Sequence, residues 1–181
     1  LNVFVKSFNS SLLWEPWKIK NKSGNFYKVF TPFYKKGCLE ADQPRRPLQK
    51  PKNLTFLEIS SEYQKYKFKF QNTTNKWYTK FEKIWNISES AAKYTFDNFL
   101  KNGANDYSEG RNFPNKNSVS KISAYLHWGQ ISPFTLWHKA NEKMLGIHKE
   151  TFLSELGWRE FSYHLLYHYP DINKKNLKIQ F

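Results

Sequence analysis

The sequence has 181 residues, enough for one domain or for one domain with part of a neighbour, and its 39% apolar and 19% aromatic content excludes a disordered chain. No stretch approaches the roughly 18 uninterrupted apolar residues of a membrane span, and the single Cys38 excludes an internal disulfide framework. A net charge of +14 suits a polyanionic partner, but all except four of the 29 cations are Lys, which a biased base composition also produces.

The charge is uneven, with 17 basic and 6 acidic residues in 1–86 against 12 and 9 in 87–181. The four arginines, Arg45, Arg46, Arg111 and Arg159, are the better guides, because a guanidinium fork matches phosphate and carboxylate as an ammonium cannot. No export leader opens the sequence, which starts at Leu1 rather than Met, inside the strand-like run Asn2 to Phe4. The expectation is a piece of a longer protein from a reducing, cytoplasmic compartment.

In chain order, residues 1–34 suggest the end of an α/β unit and then an extended segment. Pro16 and Pro32 are expected to exclude a helix through their positions, Lys22-Ser23-Gly24-Asn25 is a hairpin-type turn, and Tyr27, Val29 and Phe30 form a short β-prone run. Residues 35–87, with Pro44, Pro47 and Pro51 among cations, predict an extended linker. Within it Tyr66-Lys67-Phe68-Lys69-Phe70 alternates as a strand or an extended arm would.

From Ile87 the period becomes helical. Ser88 predicts an N-cap, Ala92, Phe96, Phe99 and Leu100 a buried face, and Gly103 a stop. Residues 104–117 predict a polar loop. Ser123 then predicts the cap of a short helix stopped by Gly129, and Ser132-Pro133 opens another to about Met144. A last helix runs from about Thr151 to Tyr169, ended by Pro170.

On that last helix Glu155, Trp158, Arg159 and Ser162 fall on one face, with Leu153, Leu156, Phe161, Leu165 and Leu166 on the others. An intrahelical Glu155–Arg159 pair beside a rim tryptophan is one explanation, and the commoner. A binding face is the other, with Trp158 a ring for an unstacked base, Glu155 an acceptor for base or flavin N–H groups, and Arg159 an anion contact. Gly157 clears space beside Trp158 for a planar group. Ser118-Val119-Ser120-Lys121-Ile122-Ser123, leading into a helix, suits a pyrophosphate, although an ordinary serine cap is again commoner. Tyr107 and Arg111, four apart in the polar loop, would by themselves face solvent.

These segments, in this order, resemble the DNA photolyase/cryptochrome family. They are Leu12-Leu13-Trp14-Glu15-Pro16, Val29-Phe30-Thr31-Pro32-Phe33, Tyr107 with Arg111 and Pro114, Ser120 to Pro133, and Glu155-Leu156-Gly157-Trp158-Arg159-Glu160-Phe161 with His164 to Pro170. The chain is most like an internal fragment of a class I cyclobutane pyrimidine dimer photolyase. The resemblance implies a mainly α fold: residues 88–181 the first part of a helical FAD-binding domain, 35–87 an interdomain linker, and 1–34 the tail of an α/β antenna domain.

It further implies an FAD site made by Tyr107, Ser120, Lys121, Ile122, Ser123, Phe152 and Arg159, with no metal. A DNA site would be made by Arg111, Glu155, Trp158, Arg159 and Ser162, in which Glu155 and Trp158 hold the damaged pyrimidine pair. Val119 departs from the family's usual Thr and removes one hydroxyl. The implied activity is a lyase's, light-driven repair of pyrimidine dimers by an electron from reduced FAD, on damaged DNA, away from membranes and as a monomer. A second antenna chromophore, folate or deazaflavin, is expected in the full-length protein, and the fragment alone is expected to bind FAD poorly and to be inactive. A blue-light photoreceptor of cryptochrome type is the alternative.

Overall fold

The computed structural model describes residues 4–55 and 76–177, whose regular elements are all helical, with no strand among them. In chain order the elements are α1 (Phe30–Pro32, running on as a π-helical stretch, Phe33–Cys38), α2 (Thr79–Glu82), α3 (Glu89–Asn102), α4 (Tyr107–Gly110), α5 (Ser123–His127), α6 (Pro133–Lys143) and α7 (Gly146–His168). They divide into two units. One combines the residues up to Pro47 with those from Ser88 onward, and the other is Leu48–Ile87. In the smaller unit α2 leaves Trp77 and Phe81 exposed, edge to face with centroids 6.0 Å apart. The alternating run 66–70 lies outside the described residues.

The main helices start where local chemistry says they should. The Ser88 hydroxyl accepts from the Ala91 N–H at 3.1 Å, and that of Ser132 from the Phe134 N–H at 3.2 Å with Pro133 at the first helical position. Gly103 caps the end of α3, and α7 ends at Tyr169, just before Pro170. Ala92, Phe96 and Phe99 are buried, as their spacing predicts, whereas Leu100 is only half-buried. Together with Tyr107 and Phe152 these rings form the floor of the larger unit, with centroid separations of 5.4–6.1 Å.

Several local expectations are corrected. Tyr27, Val29 and Phe30 form no strand. Phe30 opens α1, and Pro32 is accommodated in its first turn, where a missing N–H is harmless. Residues 104–117 are not all loop, because a 3₁₀ turn (Ala104–Asp106) leads directly into α4. Ser123 does not cap α5: it is the first residue of that helix, Ile122 takes the cap position, and no side chain caps there. Helix α7 begins five residues earlier than Thr151, at Gly146, without a side-chain cap.

The N-terminal segment docks on α7 through polar contacts. Buried Glu160 accepts from the Leu13 N–H at 2.8 Å and the Trp14 N–H at 3.3 Å through one oxygen, and from Arg159 at 2.8 Å through the other. One turn later, His164, also buried, places Nε2 3.2 Å from the Tyr27 carbonyl. Phe26 stacks on His168 at 4.2 Å. Trp14 packs edge-on against Trp137 of α6 at 5.1 Å and donates its indole N–H to the Asp42 carbonyl. Gly157 admits a planar group, but from within the chain. A Cβ there would lie 2.5 Å from Tyr34 Cδ2, so the glycine serves the packing of α1 on α7. Among the described residues no helix is long and apolar enough to cross a membrane.

Candidate functional site

One stripe of α7, spaced by three, four and seven residues, faces a cleft of about 620 Å3. Phe152, Glu155, Leu156, Arg159 and Tyr163 form that wall. Tyr107 and Arg111 of the α4 region and residues 119–123 with Leu126 and His127 form the others. The volume is within the range of sites for small molecules and cofactors.

The wall opposite α7 is held by close approaches between backbone segments. A side chain at Gly110 would overlap the Asp106 carboxylate and Ser118, and one at Gly103 would meet the Asn117 carbonyl at 2.6 Å. Asp106 accepts from Ser118 Oγ at 3.0 Å and Lys116 Nζ at 3.1 Å, and these bonds hold its carboxyl below its ordinary range. Lys121 then takes a left-handed backbone, φ 53°, which turns the chain into α5. Ser108 anchors the same region to α7, its backbone N–H donating to His148 Nδ1 at 3.1 Å.

The cleft's charges are paired across elements. Arg111 and Glu155 form an ion pair at 2.5 Å, with the guanidinium over the Tyr107 ring at 5.4 Å from its centroid. That hydrogen bond raises the Arg111 pKa further, while burial raises that of the Tyr107 hydroxyl. Arg159 turns to Glu160 and lies over the Tyr163 ring at 5.0 Å. The intrahelical Glu155–Arg159 pair is therefore not made: Glu155 pairs with Arg111 from another element, and Arg159 with its own neighbour on α7, Glu160.

Of the residues singled out in the sequence, the structure gathers Tyr107, Arg111, Ser120, Lys121, Ile122, Ser123, Phe152, Glu155 and Arg159 around one cavity. It does not bring Trp158 or Ser162 into that lining. Trp158 lies flat on Phe30, ring centroids 3.7 Å apart and planes 11° apart, and is still 46% exposed. Ser162 is exposed and donates to the Trp158 carbonyl at 3.0 Å. The helical spacing placed both beside Glu155, but α1 arrives on that side of α7 and takes the indole. Tyr163 was missed, although its position four after Arg159 would have found it. Helix α5 has only five residues, too short for its N-terminus alone to hold an anion.

The DNA photolyase family model matches residues 1–52. The chain is 38% identical over 179 residues to a deoxyribodipyrimidine photo-lyase of Agrobacterium fabrum, covering 95% of this chain and 36% of that protein. It is 23% identical over 186 residues to Cryptochrome-1 of Arabidopsis thaliana, covering 97% of this chain and 27% of that protein. Among solved structures, a bacterial class III photolyase from Agrobacterium tumefaciens superposes with a TM-score of 0.74 at 33% identity, covering 94% of this chain and 36% of the other. The chain thus spans about a third of the length of the photolyases it matches.

Proposed function

For a chain that belongs to the DNA photolyase/cryptochrome family, we propose the function of a deoxyribodipyrimidine photolyase, acting on cyclobutane pyrimidine dimers in DNA with FAD as cofactor. The observation that carries this reading is the single cleft uniting nine residues chosen from three separate stretches of sequence.

The cleft suits a flavin dinucleotide in its donor set. At one side Ser120 and Ser123 offer hydroxyls and Lys121 a cation, the groups that would hold a pyrophosphate. At the other, Tyr107 and Phe152 meet edge to face at 5.4 Å and would pack against a planar ring system. Val119 lines the same wall and contributes no hydroxyl. Such a flavin, bound in its reduced state, would supply the light-driven electron for splitting the dimer.

The protein's own residues bind and orient. Glu155 is the one carboxylate among the described residues lining the cleft and would accept hydrogen bonds from the N–H groups of a flipped-out pyrimidine. Arg111, at the C-terminal end of α4, would take a backbone phosphate. Trp158, with one ring face on Phe30, keeps exposed surface for a base stacking outside the cleft. Arg159, fixed by buried Glu160, would hold the cofactor side rather than swing toward DNA.

The test is illumination of a dimer-containing oligonucleotide with the full-length protein. Light-dependent loss of the dimer is expected. Bound flavin without repair would instead favour the cryptochrome-type photoreceptor.

A further inference from the structure

The ion pair that closes over the cleft has a consequence for how the site is used. Glu155 has a cation four residues along its own helix, Arg159, but that guanidinium is committed to Glu160, whose side chain is 1% exposed. Glu155 therefore reaches across to Arg111 on a different element. The two pairs differ in kind. Arg159–Glu160 has its carboxylate buried and its guanidinium half-buried, with side chains 1% and 19% exposed. Arg111–Glu155 is open to water, with side chains 29% and 40% exposed, and such pairs contribute little to stability. It can be exchanged.

We propose that Arg111–Glu155 is a latch that a phosphodiester opens: a strand's phosphate takes the guanidinium and so releases the Glu155 carboxylate to accept hydrogen bonds from a base. This rests on the photolyase reading above and adds a linkage to it. The guanidinium fork binds phosphate as well as carboxylate, so the exchange keeps Arg111 paired. The Tyr107 ring lies beside the guanidinium and positions it whichever anion it holds. With Arg111 on carboxylate, Oε1 of Glu155 is already occupied. The acceptor becomes fully available only after the phosphate arrives, so base recognition is coupled to strand recognition, and by reciprocity each favours the other. A free base meets a masked acceptor, whereas a base on a strand brings the phosphate that unmasks it.

The experiment is a double-mutant cycle on the full-length protein, with a fluorescein-labelled undamaged oligothymidylate as probe and anisotropy as readout. Glu155→Gln removes the competing carboxylate and should tighten binding two- to five-fold. Arg111→Gln should weaken it and lower the salt slope by about 0.7, one phosphate's worth on a single strand. In the Arg111→Gln background, Glu155→Gln should change affinity by less than 1.5-fold, because there is no latch left to open. Arg111→Lys, which keeps the charge without the fork, should retain part of the Glu155→Gln effect.

Equal tightening by Glu155→Gln in both backgrounds would mean simple charge repulsion and would overturn the latch, leaving the repair reading intact if light-dependent repair persists. No tightening in the wild-type background overturns it as well. Failure of every form to bind the probe overturns the latch together with the nucleic-acid reading on which it rests.

Discussion

Glu160 and His164 stand one turn apart on α7, both buried, and both hold backbone groups of the N-terminal segment. Burial pushes the Glu160 carboxyl up from 4.5 to about 7, against the opposing pull of Arg159 and the two backbone N–H groups. Burial, with His168 alongside, pushes His164 down from 6.5 to about 4, against its hydrogen bond to the Tyr27 carbonyl. Between pH 4.5 and 6.5, then, the folded chain keeps a proton on Glu160 that the unfolded chain has lost, and lacks one on His164 that the unfolded chain still carries. The first makes stability fall with rising pH and the second makes it rise, each by about 1.4 kcal/mol per unit. Over those two units the opposing contributions are about 2 kcal/mol each and largely offset one another.

Glu160→Gln removes the falling contribution, so stability should climb by about 2–3 kcal/mol from pH 4.5 to 6.5. His164→Gln removes the rising one, and stability should drop by a similar amount over the same interval. Urea unfolding followed by tryptophan fluorescence at three pH values measures this directly, provided the m value is unchanged between variants. A Glu160→Gln variant as insensitive to pH as the parent would refute the assignment of opposed buried titrations.

Gly157→Ala should destabilise the fold by roughly 1–2 kcal/mol despite the better helix propensity of Ala, because its Cβ meets the Tyr34 ring. In a Tyr34→Ala background the same change should be neutral or stabilising, as thermal unfolding of the four forms will show. Gly110→Ala should cost about 1–3 kcal/mol by displacing Ser118 and Asp106, and should weaken flavin binding by the full-length protein as the wall of residues 119–123 shifts. Trp158→Ala should lose about 0.5–1.5 kcal/mol of stability with the Phe30 stack. It should also weaken binding of dimer-containing DNA by about 1–3 kcal/mol, and unchanged affinity would remove Trp158 from the binding surface.

What was legible in the sequence was chemistry acting over a few residues. Serine caps at Ser88 and Ser132, proline at 133 and 170, and the buried spacing of Ala92, Phe96 and Phe99 each depend on neighbours within a turn or two, and each is found in place. The face of α7 bearing Glu155 and Arg159 was legible for the same reason. What escaped depends on partners far along the chain. Phe30 and its neighbours have β-prone side chains, yet docking on α7 draws them into a helical turn. Trp158 belongs to the expected helix face, but nothing near it in sequence announces that Phe30 will cover one side of its ring. Glu160 lies seven after Leu153 and four after Leu156, on the buried side, and its role is visible only with the backbone of Leu13 and Trp14 in view.

That last contact joins positions 147 apart. On a ribosome adding about 5–20 residues per second, Leu13 is made some 7–30 seconds before Glu160. Throughout that interval Phe30, Phe33 and Tyr34 have no α7 to cover them, and they form an apolar segment open to holdase chaperones or to misassociation between nascent chains. Slow translation upstream of α7 would lengthen this exposure, so the yield of folded protein is tied to elongation rate as well as to thermodynamic stability.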